Sequence, residues 1–156
     1  MKLTLLAVGT KPPRWVSEGF ETYRKRMPQH LSLDLIEVPG GPTGRNQSPR
    51  EVRTLEGKSL RSRIPSNSDL IALEVKGKPW TTAQLAEHLQ QWQMDGAGVT
   101  FLIGGAEGLD PGLLNEARYR WSLGPLTLPH ALVRVVVAEQ LYRAWSINAN
   151  HPYHRA

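Results

Sequence analysis

The chain has 156 residues, of which 40% are hydrophobic and 21% charged, a composition typical of one soluble domain over residues 1–156 with a sizeable core. No apolar run is long enough to span a membrane. The absence of cysteine excludes disulfides and thiolate metal sites, and it suits a cytoplasmic protein. The formal net charge of +5 is uneven, with +6 in the first 68 residues and −1 in the rest. Clustered basic charge favours a nucleic-acid partner, but a basic face exposed to solvent explains it equally well.

Hydrophobic residues follow a strand period and a helix period in alternation along the chain. The pattern predicts strands over residues 2–8, 31–38, 69–75, 99–103 and, very short, 126–128. It predicts helices over about 15–26, 49–63, 81–95, from 111 onward, and over about 131–149. Such alternation is typical of an α/β domain in which helices cover both faces of a mostly parallel sheet. The apolar run of the first strand is too short for a secretion signal.

Local signals refine three of these segments. Residues 40–47 and 76–80 contain several glycines and prolines, which predicts loops. Ser48 is predicted to cap the second helix, because its hydroxyl can accept a hydrogen bond from the backbone N–H of Glu51. The spacing of apolar residues predicts that the inner face of this helix is formed by Val52, Leu55, Ser59 and Leu60.

The last predicted helix is apolar on nearly every side in its first half. Such a helix must be covered on more than one side, by a central position in one subunit or by a subunit interface. In so small a domain we favour a symmetric homodimer. Further along this helix, Glu139 and Arg143 are spaced for an ion pair between residues i and i+4.

The strand predicted at 99–103 runs directly into Gly104, Gly105 and Gly108. Open α/β sheets bind ligands where a buried parallel strand ends in such a turn, although many glycine turns serve the fold alone. The spacing is not the G-x-G-x-x-G of dinucleotide-binding proteins, which disfavours a nicotinamide-dependent oxidoreductase. A second interrupted segment, residues 123–128, could surround a flat ligand with backbone groups, or could simply be a bent strand.

The C-terminal residues carry unusual chemistry for a chain end. His151, Tyr153, His154 and Arg155 lie within five positions of each other. Chain ends are often frayed, and the alternative is that Tyr153 stacks on a nucleotide while His154 handles a proton. We expect no metal site, because no cysteine or suitably spaced carboxylate accompanies the histidines.

Several of these segments carry a resemblance that runs from Met1 to the end of the chain. The chain resembles the ribosomal RNA large-subunit methyltransferase H family of the SPOUT class. The matching residues are Lys2-Leu3, Ala7-Val8-Gly9, Gly77-Lys78-Pro79-Trp80, Leu102-Ile103-Gly104-Gly105, Glu107-Gly108, Leu126-Thr127-Leu128-Pro129-His130, Val133-Arg134, Glu139-Gln140-Leu141-Tyr142-Arg143-Ala144 and His151-Pro152-Tyr153-His154-Arg155.

The resemblance implies a C-terminal trefoil knot, a homodimer and S-adenosylmethionine as methyl donor, without a metal. The implied product is N3-methylpseudouridine in the helix-69 hairpin of 23S rRNA, made on the assembled 70S ribosome. The implied donor site consists of Leu73, Gly104, Gly105, Leu123, Gly124, Pro125, Leu126, Thr127 and Leu128.

The loss of the pseudouridine N3 proton requires a base or a stabilised anion. The family motifs lead us to expect His154 in that role, supported by Tyr153 and Arg155, from the partner subunit's tail. Arg134 is expected to contact a phosphate or a base carbonyl. His130 and Arg143 are expected to hold the fold together.

One residue and one loop depart from the family pattern. Ala106 stands where many relatives have proline, and the loop at 40–45 has few lysines. The alternative function is a non-catalytic RNA-binding or ribosome-binding module of the same fold.

Overall fold

A computed structural model describes residues 1–41 and 47–155 of the chain. Residues 42–46, which make up most of the loop predicted at 40–47, therefore lie outside the described residues. The expectation drawn from the few lysines of this loop lies outside them too. The elements in chain order are β1 (Lys2–Val8), α1 (Arg14–Arg24), β2 (Ser32–Val38), α2 (Pro49–Arg63), β3 (Ser68–Pro79), α3 (Thr82–Asp95), β4 (Gly98–Ile103), α4 (Pro111–Glu116), β5 (Tyr119–Ser122), α5 (His130–Asn148) and a closing 3-10 helix (Pro152–Arg155).

The five strands form one parallel sheet in the order β2-β1-β4-β3-β5. Successive residues of a strand point to opposite faces, and both faces of the sheet are covered. Leu5 packs in a core with residues of α1, α3 and α5, whereas Leu6 packs with residues of α2 and α4. This arrangement confirms the predicted α/β class. The trefoil knot stays a prediction of the resemblance.

The fifth strand lies at Tyr119–Ser122, so the prediction of a strand at 126–128 was wrong. Trp121 is 3% exposed and pairs with β3, which fixes this short segment in the sheet. Leu126, in contrast, is 75% exposed. Pro125 and Pro129 flank the predicted strand, and proline has no N–H to donate to a neighbouring strand.

Strand β3 extends through the loop predicted at 76–80 and ends at Pro79. Its register against β5 shifts, so that Leu73 and Lys78 are both aligned with Trp121. A Cβ at Gly77 would lie 2.5 Å from the carbonyl oxygen of Arg120. Glycine is therefore required for this close approach, and the glycine that suggested a loop instead permits a bulged strand. Leu73 consequently lies within β3 and not at its end.

Helix α2 begins as predicted, with the Ser48 hydroxyl accepting a hydrogen bond from the backbone N–H of Glu51 at 3.1 Å. Its inner face differs from the prediction, because Leu55 is 42% exposed while Glu56 is only 6% exposed. Counting four residues from Val52 gives Glu56 and then Leu60, so the helical period itself places a carboxylate inside.

Candidate functional site

A cleft opens where β4 and β5 end, beside the bulge of β3 and the start of α5. Its cavity volume is about 160 Å³, far above the roughly 10–15 Å³ that one water molecule needs. The position matches the edge of a parallel sheet at which α/β proteins bind ligands. The cleft is lined by Leu73, Glu74, Val75, Ile103, Gly104, Gly105, Gly108, Leu109, Trp121, Leu123, Gly124, Leu126, Thr127, Leu128, His130 and Val133.

One wall of the cleft is the glycine turn that follows β4. The turn is closed by the Gly108 N–H, which donates to the Gly105 carbonyl at 3.1 Å. Gly108 has a φ of +82°, and a Cβ at Gly104 would lie 2.8 Å from the carbonyl carbon of Gly108. Because the obstructing atom belongs to the backbone, only glycine fits at position 104. A ligand in the cleft therefore meets bare backbone along this wall.

The opposite wall is the segment after β5. The Ser122 hydroxyl accepts a hydrogen bond from the Gly124 N–H at 3.1 Å, and Gly124 has a φ of +123°. This bend exposes the side chain of Leu126, while Leu128 is half-buried. The wall thus combines backbone polar groups with leucine side chains, a combination that suits a ligand with one apolar and one polar part.

Eight of the nine residues expected in a donor site line this one cleft, and Pro125 is the exception. Two turns that are separated in sequence are thereby brought together. The expected donor set did not include five further apolar residues of the lining, which are Val75, Ile103, Leu109, Trp121 and Val133. Val133 could have been found, because it begins the apolar stripe of the last helix.

The C-terminal tail packs against the rest of the chain instead of fraying. The Tyr153 ring lies edge-on against Tyr142 with ring centroids 4.7 Å apart, and the Arg143 guanidinium lies 4.9 Å from its centre. The Tyr153 hydroxyl is 3.5 Å from both the Tyr23 hydroxyl and a Glu139 carboxylate oxygen. Burial, the hydrogen bond to Tyr23 and the nearby Glu139 charge raise the pKa of Tyr153 to about 12.

The tail and the cleft lie at different places along α5. Val133 contributes to the cleft and Tyr142 contacts the tail, a separation of nine residues or about 14 Å of helix. None of the tail residues lines the cleft of the same chain. His154 is half-buried, its Nδ1 has no hydrogen-bond partner among the described residues, and Arg155 is exposed. The fold of a single chain therefore does not bring His154, Tyr153 and Arg155 to the glycine turn of that chain.

Arg134 is 1% exposed and its guanidinium lies at the C-terminal ends of β1 and β2. Its guanidinium pairs with Glu37 at 2.5 Å and donates to the carbonyl oxygens of Val8 at 3.1 Å and Gly9 at 2.8 Å. These contacts favour a role in joining α5 to the two strands over direct contact with a substrate. Arg143 forms the predicted ion pair with Glu139 at 2.7 Å, which confirms that spacing argument. His130 is exposed and belongs to the cleft lining.

A family model described as "Predicted SPOUT methyltransferase" matches residues 1–154. The chain belongs to the SPOUT methyltransferase family. Membership implies methylation of RNA with S-adenosylmethionine as the methyl donor. No helix within the described ranges is long and apolar enough to cross a membrane. In the same part of this SPOUT methyltransferase, no group of three or more histidine, aspartate or glutamate side chains is placed to hold a metal ion.

The cleft of this SPOUT methyltransferase fits its methyl donor. Gly104, Gly105 and Gly108 line one wall without side chains, so an elongated ligand can lie directly against the backbone there. Leu123, Leu126 and Leu128 offer apolar surface for a flat adenine ring. When bound, S-adenosylmethionine supplies a methyl group activated by its positively charged sulfur.

Proposed function

We propose that this SPOUT methyltransferase methylates N3 of a pseudouridine in the helix-69 hairpin of 23S rRNA, acting on the assembled 70S ribosome. The substrate follows from the resemblance to the methyltransferase H family over the whole chain. The observation that carries the proposal is the single cleft in which the expected donor residues of two separate turns meet.

In this proposal, Gly104 and Gly105 hold the donor against the backbone, and residues 123–128 enclose its adenine. Leu73 closes the floor of the cleft from β3. Since the methyl group is already activated, the protein contributes mainly by aligning the donor with the attacking nitrogen. The nitrogen must lose its imide proton, because N3 becomes a tertiary imide nitrogen in the product.

We assign the removal of the N3 proton to the imidazole of His154, which accepts it on a ring nitrogen near neutral pH. Tyr153, with a pKa raised to about 12, stays protonated in that range and acts as a hydrogen-bond donor that positions the tail. Arg155 is exposed and available to an RNA phosphate.

We further propose that the protein acts as a homodimer in which each cleft is completed by the partner subunit's tail. The tail of one chain lies away from its own cleft, so His154 can serve only a cleft that another chain presents to it. Val75 and Leu126 are 62% and 75% exposed at the cleft, and such apolar side chains are typical of surfaces that a second subunit covers.

The test is methyl transfer from labelled S-adenosylmethionine to intact 70S ribosomes, with free 50S subunits in parallel, followed by nucleoside analysis of the rRNA. The proposal predicts label in N3-methylpseudouridine, mainly with 70S ribosomes. If the protein binds the donor but leaves no label on the RNA of 70S ribosomes, its target is a different RNA and the proposed substrate is wrong. A protein that does not bind the donor would instead be a non-catalytic RNA-binding or ribosome-binding module.

A further inference from the structure

A second cavity lies beside the cleft, on the side of β1, β2 and α2. It shares Gly105 and His130 with the cleft. Its other walls are mostly small or apolar. The polar side chains among them are Gln47 and Glu107, which are exposed, and Glu56, whose carboxylate is buried and only 6% exposed. The cavity is lined by Val8, Gly9, Gly40, Gly41, Gln47, Pro49, Val52, Glu56, Gly105, Ala106, Glu107 and His130.

The two oxygens of Glu56 have different surroundings. Oε2 accepts a hydrogen bond from the Gly41 N–H at 2.8 Å. Oε1 is buried and has no hydrogen-bond partner among the described residues, and no lysine or arginine among them forms an ion pair with Glu56. Buried polar atoms are nearly always paired in folded proteins, and a buried carboxylate oxygen is costly to leave without a donor. The protein thus retains an acceptor that its own described groups do not use.

The backbone of Gly105 packs closely against this carboxylate, with no side chain between them. A Cβ at Gly105 would lie 3.3 Å from Oε1 and 3.2 Å from Oε2 of Glu56. Gly40 and Gly41 form the adjoining wall, so the cavity is bounded by backbone and suits a thin, flat group. A carboxylate at its base accepts hydrogen bonds from N–H groups and repels phosphate. The chemistry therefore points to a nucleobase that presents an N–H edge.

We propose that this cavity holds the target base and that the carboxylate of Glu56 in its wall accepts a hydrogen bond from the N1–H of pseudouridine. This inference rests on the proposed function. In pseudouridine the sugar is attached through C5, which leaves N1–H available, whereas uridine uses N1 for its glycosidic bond. N1 and N3 flank the same carbonyl carbon, so a base with N3 toward the donor cleft can direct N1 into the neighbouring cavity. Glu56 is then a positioning residue that selects pseudouridine over uridine.

Glu56→Gln is the decisive variant because it preserves shape but leaves one acceptor oxygen for two donors, the Gly41 N–H and the ligand. The matched control is Glu51→Gln, the same change on an exposed residue of the same helix. Gly40→Ala is a second variant that keeps the carboxylate. Its Cβ would lie at an ordinary 3.7 Å from Oε2, so it narrows the cavity without forcing the backbone to move.

The assay compares kcat/KM on 70S ribosomes that carry pseudouridine at the target position with that on ribosomes that carry uridine there, and measures the Kd for S-adenosylmethionine by calorimetry. We expect Glu56→Gln to lower the preference for pseudouridine at least tenfold while the donor Kd changes less than twofold. We expect Gly40→Ala to raise KM for ribosomes at an unchanged donor Kd, and Glu51→Gln to match the wild type.

Three results would overturn the inference. One is an unchanged preference for pseudouridine in folded Glu56→Gln together with an unchanged KM in Gly40→Ala. Another is an equal loss on both ribosome substrates, which would indicate a role in proton removal. The third is a weakened donor Kd in Glu56→Gln, which would indicate contact with the donor's amino group. A wild-type protein that methylates neither substrate would refute the proposed function itself, and is thus distinct from these three results.

Discussion

Replacing Arg134 with methionine separates a structural role of this residue from a catalytic one. The substitution keeps the length and apolar stem of the side chain but removes the guanidinium. It leaves Glu37 without its partner, and the carbonyl groups of Val8 and Gly9 lose the donors at 3.1 Å and 2.8 Å. The guanidinium joins parts of the chain that are 97 and about 125 residues apart in sequence, so its loss affects the global fold.

Removing one partner of a buried ion pair lowers the free energy of unfolding by about 3–5 kcal/mol. Arg134 is 1% exposed, which places it in this class, while Glu37 keeps 30% of its side-chain surface in water and can be partly rehydrated. We therefore expect a loss toward the lower end, about 3 kcal/mol. For a domain of this size, each kcal/mol shifts the melting temperature by roughly 2–4 °C, which gives a decrease of about 6–12 °C.

The assay is thermal and urea unfolding of the purified protein, with methyl transfer measured below the melting temperature of the variant. Arg118→Met is the matched control, because the two side chains of its ion pair with Asp69 are 48% and 35% exposed and such a pair is worth at most about 1 kcal/mol. A variant of Arg134 that melts within about 2 °C of the wild type but no longer transfers methyl groups would refute the structural reading and assign Arg134 to the substrate.

Three further predictions concern the cleft and the tail. Gly104→Ala places a Cβ 2.8 Å from the backbone of Gly108, which strains the turn by about 1–3 kcal/mol. If donor binding has to overcome this strain, calorimetry should show a donor Kd weakened about 5- to 150-fold. The control is Gly96→Ala, which is remote from the cleft and should leave the donor Kd unchanged. The raised pKa of Tyr153 means that the unfolded chain loses this proton first, so stability falls as pH rises from 10 to about 12, and less steeply in Tyr153→Phe. His154→Ala is expected to lower the transfer rate about 100-fold or more at an unchanged donor Kd.

Each of these predictions has a contradicting result. An unchanged donor Kd in Gly104→Ala would remove the glycine turn from the donor site. Identical pH profiles of the wild type and Tyr153→Phe in denaturant titrations between pH 10 and 12 would show that the tail does not bury this hydroxyl in solution. Transfer by His154→Ala at the wild-type rate would exclude a proton-handling role.

The strand and helix pattern of this chain was readable because most elements bury one clear apolar face. The fifth strand was missed because Trp121 and its neighbours form only one short alternation, whereas residues 126–128 look more apolar but are interrupted by proline. Strand β3 was cut short because Gly77 is a loop signal in sequence, while in the sheet it accommodates the Arg120 carbonyl.

The candidate site was only partly predictable for a similar reason. The glycine turn could be placed at a sheet edge because a buried strand leads straight into it. That residues 123–128 face the same cleft depends on how the chain returns from β5, which no local pattern encodes. The partners of Arg134 and the burial of Glu56 likewise arise from contacts between segments far apart in sequence. An apolar period that passes through a glutamate is the one local signal that could have pointed to Glu56, which the predicted inner face did not include.

Hydrogen exchange of the backbone amides, with and without saturating S-adenosylmethionine, tests most directly whether the two-turn cleft is the donor site. The account predicts slower exchange on donor binding in peptides that cover residues 104–108 and 123–128, with little change in the peptide that covers 82–95 of α3. Donor binding with protection confined to other segments, while both turns exchange at their unliganded rate, would contradict it.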